Sequence, residues 1–503
     1  MSPSSSIARE VSETLPGTSG PGPANRIAVR NPRTGRADYV IDPPTNDALT
    51  ALCTSMRQAQ SAWEAAGVRH RADVMRQWGQ ALKRRRDEII AAESLDTGRF
   101  RLSREIVDVT IGGVLSWCDR AVPIVEGTRR EGMSTIWPHV KFESQLKPYA
   151  LVGVISPWNH PFFLSTVDAI PALLAGCAVV VKCSEIAPRF SDPVMAAIQE
   201  VPELAKVFTF IKGAGETGQQ LIEQVDLMCF TGSIPTGRKV AEACARRFIP
   251  AFLELGGKDA AIVTASADVD RAVTAVLRGA VFATGQICHA IERVYVHRSL
   301  YDTFVRKMVA EADRITLNYP EESRGQIGPF ILERQAGIVD RQIDDAVGKG
   351  ALILTGGKSE RLGGGVYMRP TVMTNVSHDM EIMTEETFGP VIPLMPYDTE
   401  DEAVSLANDS HFGLSGAVIA GDEDEARRIG LQINAGGISL QDTTLTIAIT
   451  RDVEKTSFNL SGLGESRMGP NSILRYFRRK AIMTNTGQPV AMRDLAEELP
   501  AGH

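Results

Sequence analysis

From about residue 150 the chain alternates short apolar runs with helical stretches, and this alternation limits the possible folds more than any other feature. YALVGVIS, CAVVVK, VFTFIK and LMCFTG are four such runs. Near-continuous hydrophobicity of this kind marks strands buried on both faces. Between them, FFLSTVDAIPALLAG reads as a helix interrupted by Pro171. SDPVMAAIQEV reads as a helix capped by Ser191 or Asp192 with Pro193 in its first turn, and IPTGRKVAEACARR as a helix opening straight from the fourth run. The expected fold class is α/β: a Rossmann-like parallel sheet covered by helices on both faces, with ligands outside the carboxyl ends of its strands.

A second α/β region is expected to begin near residue 257. In SADVDRAVTAVLRGAVFATG, residues Val269, Val273, Val276, Leu277 and Ala280 form an apolar stripe, with Ser266 as the expected cap and Gly285 as the stop. The strand ERVYVH follows, so Cys288 in GQICHA falls on a helix-to-strand loop, where reactive residues concentrate. Upstream, residues 72–98 read as one amphipathic helix through Val74, Trp78, Leu82 and Ile89, ended by Gly98.

The 503 residues suffice for two or three domains. A net charge of -7, spread along the chain, argues against nucleic acid or an anionic membrane as partner. The seven cysteines are scattered, with neither a CxxC pair for zinc nor a disulfide spacing, so no metal is expected and a reducing cytoplasm is the expected location. Residues 1–25, rich in Ser, Pro and Gly, read as a flexible arm rather than a secretory signal. The longest apolar run, AIPALLAGCAVVV, is too short to span a bilayer.

GAGETG at 213–218 matches the dinucleotide fingerprint literally, yet the acidic residue expected about 20 positions later is replaced by basic TGRKVA. It is read as a glycine-rich turn near a ligand edge. Other residues are ambiguous singly: Cys288 as a small buried hydrophobe, Glu254 as an exposed strand end, Asn159 as a turn amide, Lys182 as a snorkelling lysine. Adjacent side chains project differently, so His289 is not expected to be the base for Cys288.

In order, PWN, VVVKCSE, FTGS, LELGGK, GQIC and EETFGP resemble the aldehyde dehydrogenase superfamily from about residue 28 to 485, with 34 residues separating Glu254 from Cys288. The resemblance implies that Cys288 is the nucleophile, Glu254 the general base, and Asn159 the oxyanion-hole amide. It implies a cofactor groove made by Ile155, Ser156, Pro157, Trp158, Lys182, Ser184, Glu185, Gly213, Gly232, Ser233, Gly237, Leu255, Gly256, Glu386 and Phe388. Glu185 beside the adenosine ribose favours NAD, with NADP possible. The implied division is a dinucleotide-binding domain over 26–131 and 150–256, a catalytic domain over 257–465, and strands at 132–149 and 475–490 that join subunits into homodimers or homotetramers.

The substrate mouth departs from the family pattern: SFNLSGLGESRMGP lacks the usual glycine pair and lysine, and ISLQD replaces an asparagine-bearing segment. Phe163, Ile287 and Phe458, with Trp117, suggest an apolar tunnel, so the small-molecule substrate is expected to be an aromatic or medium-chain aldehyde. A carboxylated semialdehyde, a CoA-acylating reaction and a non-enzymatic ligand-binding member of the fold are the alternatives.

Overall fold

The computed structural model describes residues 26–495 and 497. The arm expected over residues 1–25 lies outside the described residues.

Four of the predicted runs form the heart of a six-stranded sheet. Its order is Phe208–Lys212, Ala178–Cys183, Leu151–Ile155, Leu227–Thr231, Ala251–Glu254 and Gly462–Leu463, parallel except for the last strand. The chain leaves Leu151–Ile155 toward one edge and then crosses to its other side, which makes a topological switch point there. Register brings the carboxyl ends level: Ile155 pairs with both Lys182 and Phe230, and Thr231 with Glu254. Residues far apart in sequence therefore leave the sheet along one rim.

A second, seven-stranded sheet runs Leu352–Thr355, Thr371–Thr374, Val391–Tyr397, Ile291–His297, Asp259–Val263, Ser415–Ile419 and Gly437–Leu440. Asp259 and Ile291 pair at the amino ends of its two central parallel strands. The loops entering these strands, 255–258 and 286–290, carry the residues after Glu254 and around Cys288. At Gly462 the chain returns to the first sheet, and Ile473 and Tyr476 join its core. A third, antiparallel sheet joins Glu131–Met133, Val140–Pro148 and Phe477–Asn485, pairing Val140 with Asn485 through Pro148 with Phe477. Among the described residues, no helix is long and apolar enough to cross a membrane.

Several local expectations are corrected. The helix read over 72–98 is two helices, Gly67–Arg84 and Arg86–Thr97, broken at Arg85. Val74, Trp78, Leu82 and Ile89 are nevertheless all buried, and Gly98 stops the second helix at φ 66°. The helix containing Pro171 divides into Pro161–Thr166 and Ala169–Ala175, because a proline cannot donate to the carbonyl four residues back. Neither Ser191 nor Asp192 caps Ser191–Gln199: the Ser191 hydroxyl donates to the Pro188 carbonyl at 2.6 Å, and Asp192 pairs with Tyr39 and Lys212. Asp268, not Ser266, caps Val269–Val281 by accepting from the Arg271 N–H at 2.9 Å. That helix stops before Gly285, since Ala283 and Thr284 adopt left-handed backbone at φ 55° and 61°.

Candidate active site

A cleft of about 990 Å³ opens along the carboxyl rim of the six-stranded sheet and reaches the second sheet. Ile155, Ser156, Pro157, Trp158 and Asn159 line it, as do Lys182, Ser184, Glu185, Gly232, Ser233, Leu255, Gly256, Cys288, Glu386 and Phe388. Two helix starts also border it. Gly215 and Gly218 come from Gly215–Ile222, and Ser233 and Thr236 from the start of Ile234–Arg246. Exposed N–H groups and the helix dipole suit such ends to a pyrophosphate.

Two predicted glycines do not line the cleft but allow its walls to close. At Gly213 a Cβ would lie 2.2 Å from the Thr217 hydroxyl, and at Gly237 one would lie 2.5 Å from the Leu255 side chain. The half-buried Glu185 carboxylate accepts from the buried Lys182 ammonium at 3.2 Å. Ser156 and Ser165 share a buried hydroxyl bond of 2.7 Å, which ties the loop after Leu151–Ile155 to the helix Pro161–Thr166.

The far end of the cleft is held by a bracket whose charges, Lys258 and Glu292, were given no role in the sequence reading. Buried Glu292 accepts from the Lys258 ammonium at 2.9 Å and from the backbone N–H groups of Thr387 and Phe388 at 2.8 Å each. Lys258 also donates to the Thr387 hydroxyl at 2.8 Å. This bracket fixes the backbone that presents Glu386 and Phe388, and Phe388 itself sits at φ 53°. The Phe388 ring meets Trp158 edge-on at 5.4 Å. Glu386 accepts from the Gly257 N–H at 3.1 Å, and a Cβ on Gly256 would lie 2.6 Å from its carboxylate. Burial, reinforced by Glu292, pushes the Glu386 carboxyl up to about 8, while the Gly257 N–H and Lys258 oppose the shift.

Cys288 is the one cysteine that is not buried. Its carbonyl approaches Gly257 so closely that a Cβ there would stand 2.4 Å away, so only glycine lets these two loops meet. The Asn159 amide donates to the Gln286 carbonyl at 3.1 Å, tying the first sheet to the loop that carries the thiol. Among the described residues, this is the one hydrogen bond that its amide nitrogen donates. Gln286 is anchored in turn, donating to the Pro329 carbonyl at 3.2 Å and accepting from the Ile331 N–H at 3.0 Å.

Glu254 is half-buried, accepts from the Ser457 hydroxyl at 2.8 Å, and is not among the residues lining the cleft. Burial pushes the Cys288 thiol up to about 12; the Lys455 ammonium opposes this, and Glu386, Asp259 and Glu254 add to it. Burial lowers His289 to about 4 and His160 to about 3, so both imidazoles are neutral at physiological pH. Among the described residues, His289 makes no hydrogen bond to the thiol through Nδ1, which has no partner.

None of the four residues expected to form a tunnel is among those lining the cleft. Ile287 is buried against Ala283, Ala290, Leu102 and Phe282 near the thiol, and Phe163 is half-buried on Pro161–Thr166. Phe458 is 40% exposed and packs at Gly413. Trp117 is corrected from a mouth residue to a core residue: it belongs to the hydrophobic core around the six-stranded sheet and does not line the cleft.

Besides Lys258 and Glu292, the sequence reading missed Lys455, Ser457, Arg467 and Asp168. Arg467 donates to buried Asp168 and to Thr231, the register partner of Glu254, at 2.6 Å each, while Arg475 pairs with the other Asp168 oxygen. One signal was present: Lys258 just before Asp259–Val263 and Glu292 near the start of Ile291–His297 are charges at the entrance to buried strands, where a charge is costly unless paired.

The aldehyde dehydrogenase family profile matches residues 20–482. The chain belongs to the aldehyde dehydrogenase family. It is 34% identical to "Putative succinate-semialdehyde dehydrogenase" (NADP+) of Mycolicibacterium smegmatis, over 90% of this chain and 87% of that one. It is 31% identical to 4,4'-diapolycopene aldehyde oxidase of a Methylomonas species, over 94% of this chain and 87% of that one. A solved structure, "Putative Aldehyde Dehydrogenase PutA" from Anabaena variabilis, superposes with a TM-score of 0.90 at 51% identity, covering 93% of this chain and 99% of that one. Betaine aldehyde dehydrogenase from Staphylococcus aureus, solved in complex with NAD+, gives 0.86 at 29% identity over 93% of each chain.

Proposed function

We propose that this aldehyde dehydrogenase oxidises an aldehyde to the free carboxylic acid, with NAD as cofactor and Cys288 as nucleophile. The observation that carries the reading is the opening of Cys288 onto a cleft whose other end has the features of a dinucleotide site. The residues fit that cofactor. Two helix starts suit the pyrophosphate, the Lys182–Glu185 pair suits the adenosine ribose, and Glu386 with Phe388 suits the second ribose and the nicotinamide face. Glu185 would repel a 2′-phosphate, which favours NAD over NADP.

When bound, the dinucleotide supplies a two-electron acceptor. The remaining chemistry belongs to the chain. The Cys288 proton passes to Glu254, directly or through water, and the sulfur attacks the carbonyl carbon to give a thiohemiacetal. Asn159 and the Cys288 backbone N–H stabilise the developing oxyanion, each such donor typically being worth ~3 kcal/mol. At the acyl stage Glu254, having released the thiol proton to solvent, accepts a proton from water, which attacks the thioester and releases the acid and the Cys288 thiolate.

Apolar Ile287 beside Cys288 and the half-buried Phe163 on the helix just after Asn159 favour an uncharged aromatic or medium-chain aldehyde. A second reading, a carboxylated semialdehyde, is favoured by several relatives described as putative succinate-semialdehyde dehydrogenases and by the Lys455 charge acting on the thiol. Homodimers, or tetramers built from them, fit the three-stranded sheet, which leaves Met133, Ile136, Trp137 and Met483 exposed in or beside its strands.

Initial rates over aromatic, aliphatic and carboxylated aldehydes, each with NAD and NADP, test the proposal. Cys288→Ala is expected to abolish aldehyde-dependent NADH formation. Retained turnover would refute the mechanism, and acyl-CoA in place of free acid would reassign the acyl acceptor.

A further inference from the structure

We propose that Arg334 grips the cofactor phosphate nearest the nicotinamide ribose, closing the groove from the side of the second sheet. This rests on the reading of the cleft as a dinucleotide site. Most of the cleft lining comes from the first sheet and its helices. The chain beyond residue 257 contributes Cys288, Leu332, Arg334, Gln335, Glu386 and Phe388, and Arg334 is the one cation among them.

Its neighbours fix where that cation stands. Arg334 lies in the first turn of the helix Glu333–Gly348. The next residue, Gln335, also lines the cleft and donates its side-chain amide to the Thr387 carbonyl at 2.8 Å. On the same helix, the Gln342 amide donates to the Glu386 carbonyl at 3.1 Å. These two bonds pin the helix to the loop that presents Glu386 and Phe388, the groups suited to the second ribose and the nicotinamide face. That ribose is joined through its 5′ carbon to one of the two phosphates. The cofactor charge nearest a cation beside Glu386 and Phe388 is therefore that phosphate.

The guanidinium is uncommitted. Among the described residues, Arg334 has no carboxylate within 4.0 Å and donates no side-chain hydrogen bond. The adjacent Glu333 is taken by Arg30 and Arg361, and the cleft-lining Lys182 is paired with Glu185. Arg334 is exposed, so water satisfies its donors until a ligand fills the cleft. A planar guanidinium offers paired N–H donors that match two phosphate oxygens. The helix start adds to the attraction, because Leu332 at its N-cap supplies no side-chain acceptor and the positive end of the dipole is left uncapped. The helix start at Ser233 and Thr236 meets the pyrophosphate from the first sheet, and Arg334 meets it from the second.

Calorimetric titration of the full-length enzyme with NAD, ADP-ribose and AMP tests the assignment. AMP carries the adenosine-side phosphate alone, whereas the other two carry both. Arg334→Gln is expected to weaken NAD and ADP-ribose binding by about tenfold, the lower end for a charge-assisted hydrogen bond, and to leave AMP affinity unchanged. Added salt should weaken NAD binding less in this variant than in the unaltered enzyme, because one ionic contact is gone. Arg334→Lys keeps the charge but not the paired donors and is expected to fall between the two.

An Arg334→Gln variant that binds NAD as tightly as the unaltered enzyme overturns the proposal. Equal losses for NAD and AMP overturn it too, since they trace to a disturbed groove rather than to the nicotinamide-side phosphate. Failure of the cofactor reading is separately visible, as absence of NAD binding by the unaltered enzyme, and takes the proposal with it.

Discussion

Glu292→Ala should show how far the cofactor end of the cleft depends on one buried carboxylate. The side chain accepts three hydrogen bonds, from Lys258 and from the N–H groups of Thr387 and Phe388. Removing one partner of a buried ion pair typically costs about 3–5 kcal/mol. Each stranded backbone donor adds about 1–3 kcal/mol. Burial already lowers the Lys258 pKa, so this lysine can shed its proton once unpaired, and it retains the Thr387 hydroxyl as a partner. The total should therefore stay near the lower end of the sum, about 4–6 kcal/mol.

The functional effect follows from geometry. Without the bracket, the backbone at 386–388 is free to leave its left-handed turn, and Glu386 and Phe388 move out of the cleft. Loss of a charge-assisted hydrogen bond to the cofactor is worth about 1.5–3 kcal/mol, a weakening of roughly ten- to a hundredfold in Kd. Glu292→Gln should fall between, because its carbonyl can accept from two of the three donors while its NH2 group faces the third. Titration of NAD by fluorescence, alongside thermal melting, measures both effects. An alanine variant that melts lower but binds NAD with unchanged affinity would refute the link between the bracket and the cofactor.

Glu386 should make both cofactor binding and stability pH-dependent. Its folded value, about 8, lies above that of an unfolded carboxylate. The stability it contributes is therefore fully present below the ordinary carboxylate range and is lost as pH rises through about 8. NAD affinity should move the opposite way, strengthening over the same interval as the ionised carboxylate accepts from ribose hydroxyls, and Glu386→Gln should flatten that response in a pH series of NAD titrations. Asp168→Ala should destabilise the protein by about 3–5 kcal/mol, because it leaves the buried guanidinium groups of Arg467 and Arg475 without their shared carboxylate. Thermal melting of the variant checks this, and an unchanged midpoint would show that the two arginines find other partners.

The alternation of apolar runs and helices carried the architecture, because a strand buried on both faces must be written in apolar residues wherever its partners lie. Leu151–Ile155, Ala178–Cys183, Phe208–Lys212 and Leu227–Thr231 were legible for that reason. The positions of Asn159, Lys182, Ser233 and Glu254 just past or at strand ends followed, since in a parallel sheet those ends share one rim. Helix caps were less legible: Ser191, Asp192 and Ser266 have the right chemistry, but stronger partners in the folded chain claim their side chains. Trp117 has an aromatic's character wherever it lies, and only packing places it in the core rather than at the mouth.

Ion pairs leave the least trace. Lys258 and Glu292, or Arg467 and Asp168, belong to segments distant along the chain and follow no period, so their pairing depends on how helices and sheets dock. Periodicity records what each residue faces, whereas the partner of a buried charge is set by the three-dimensional path of the whole chain.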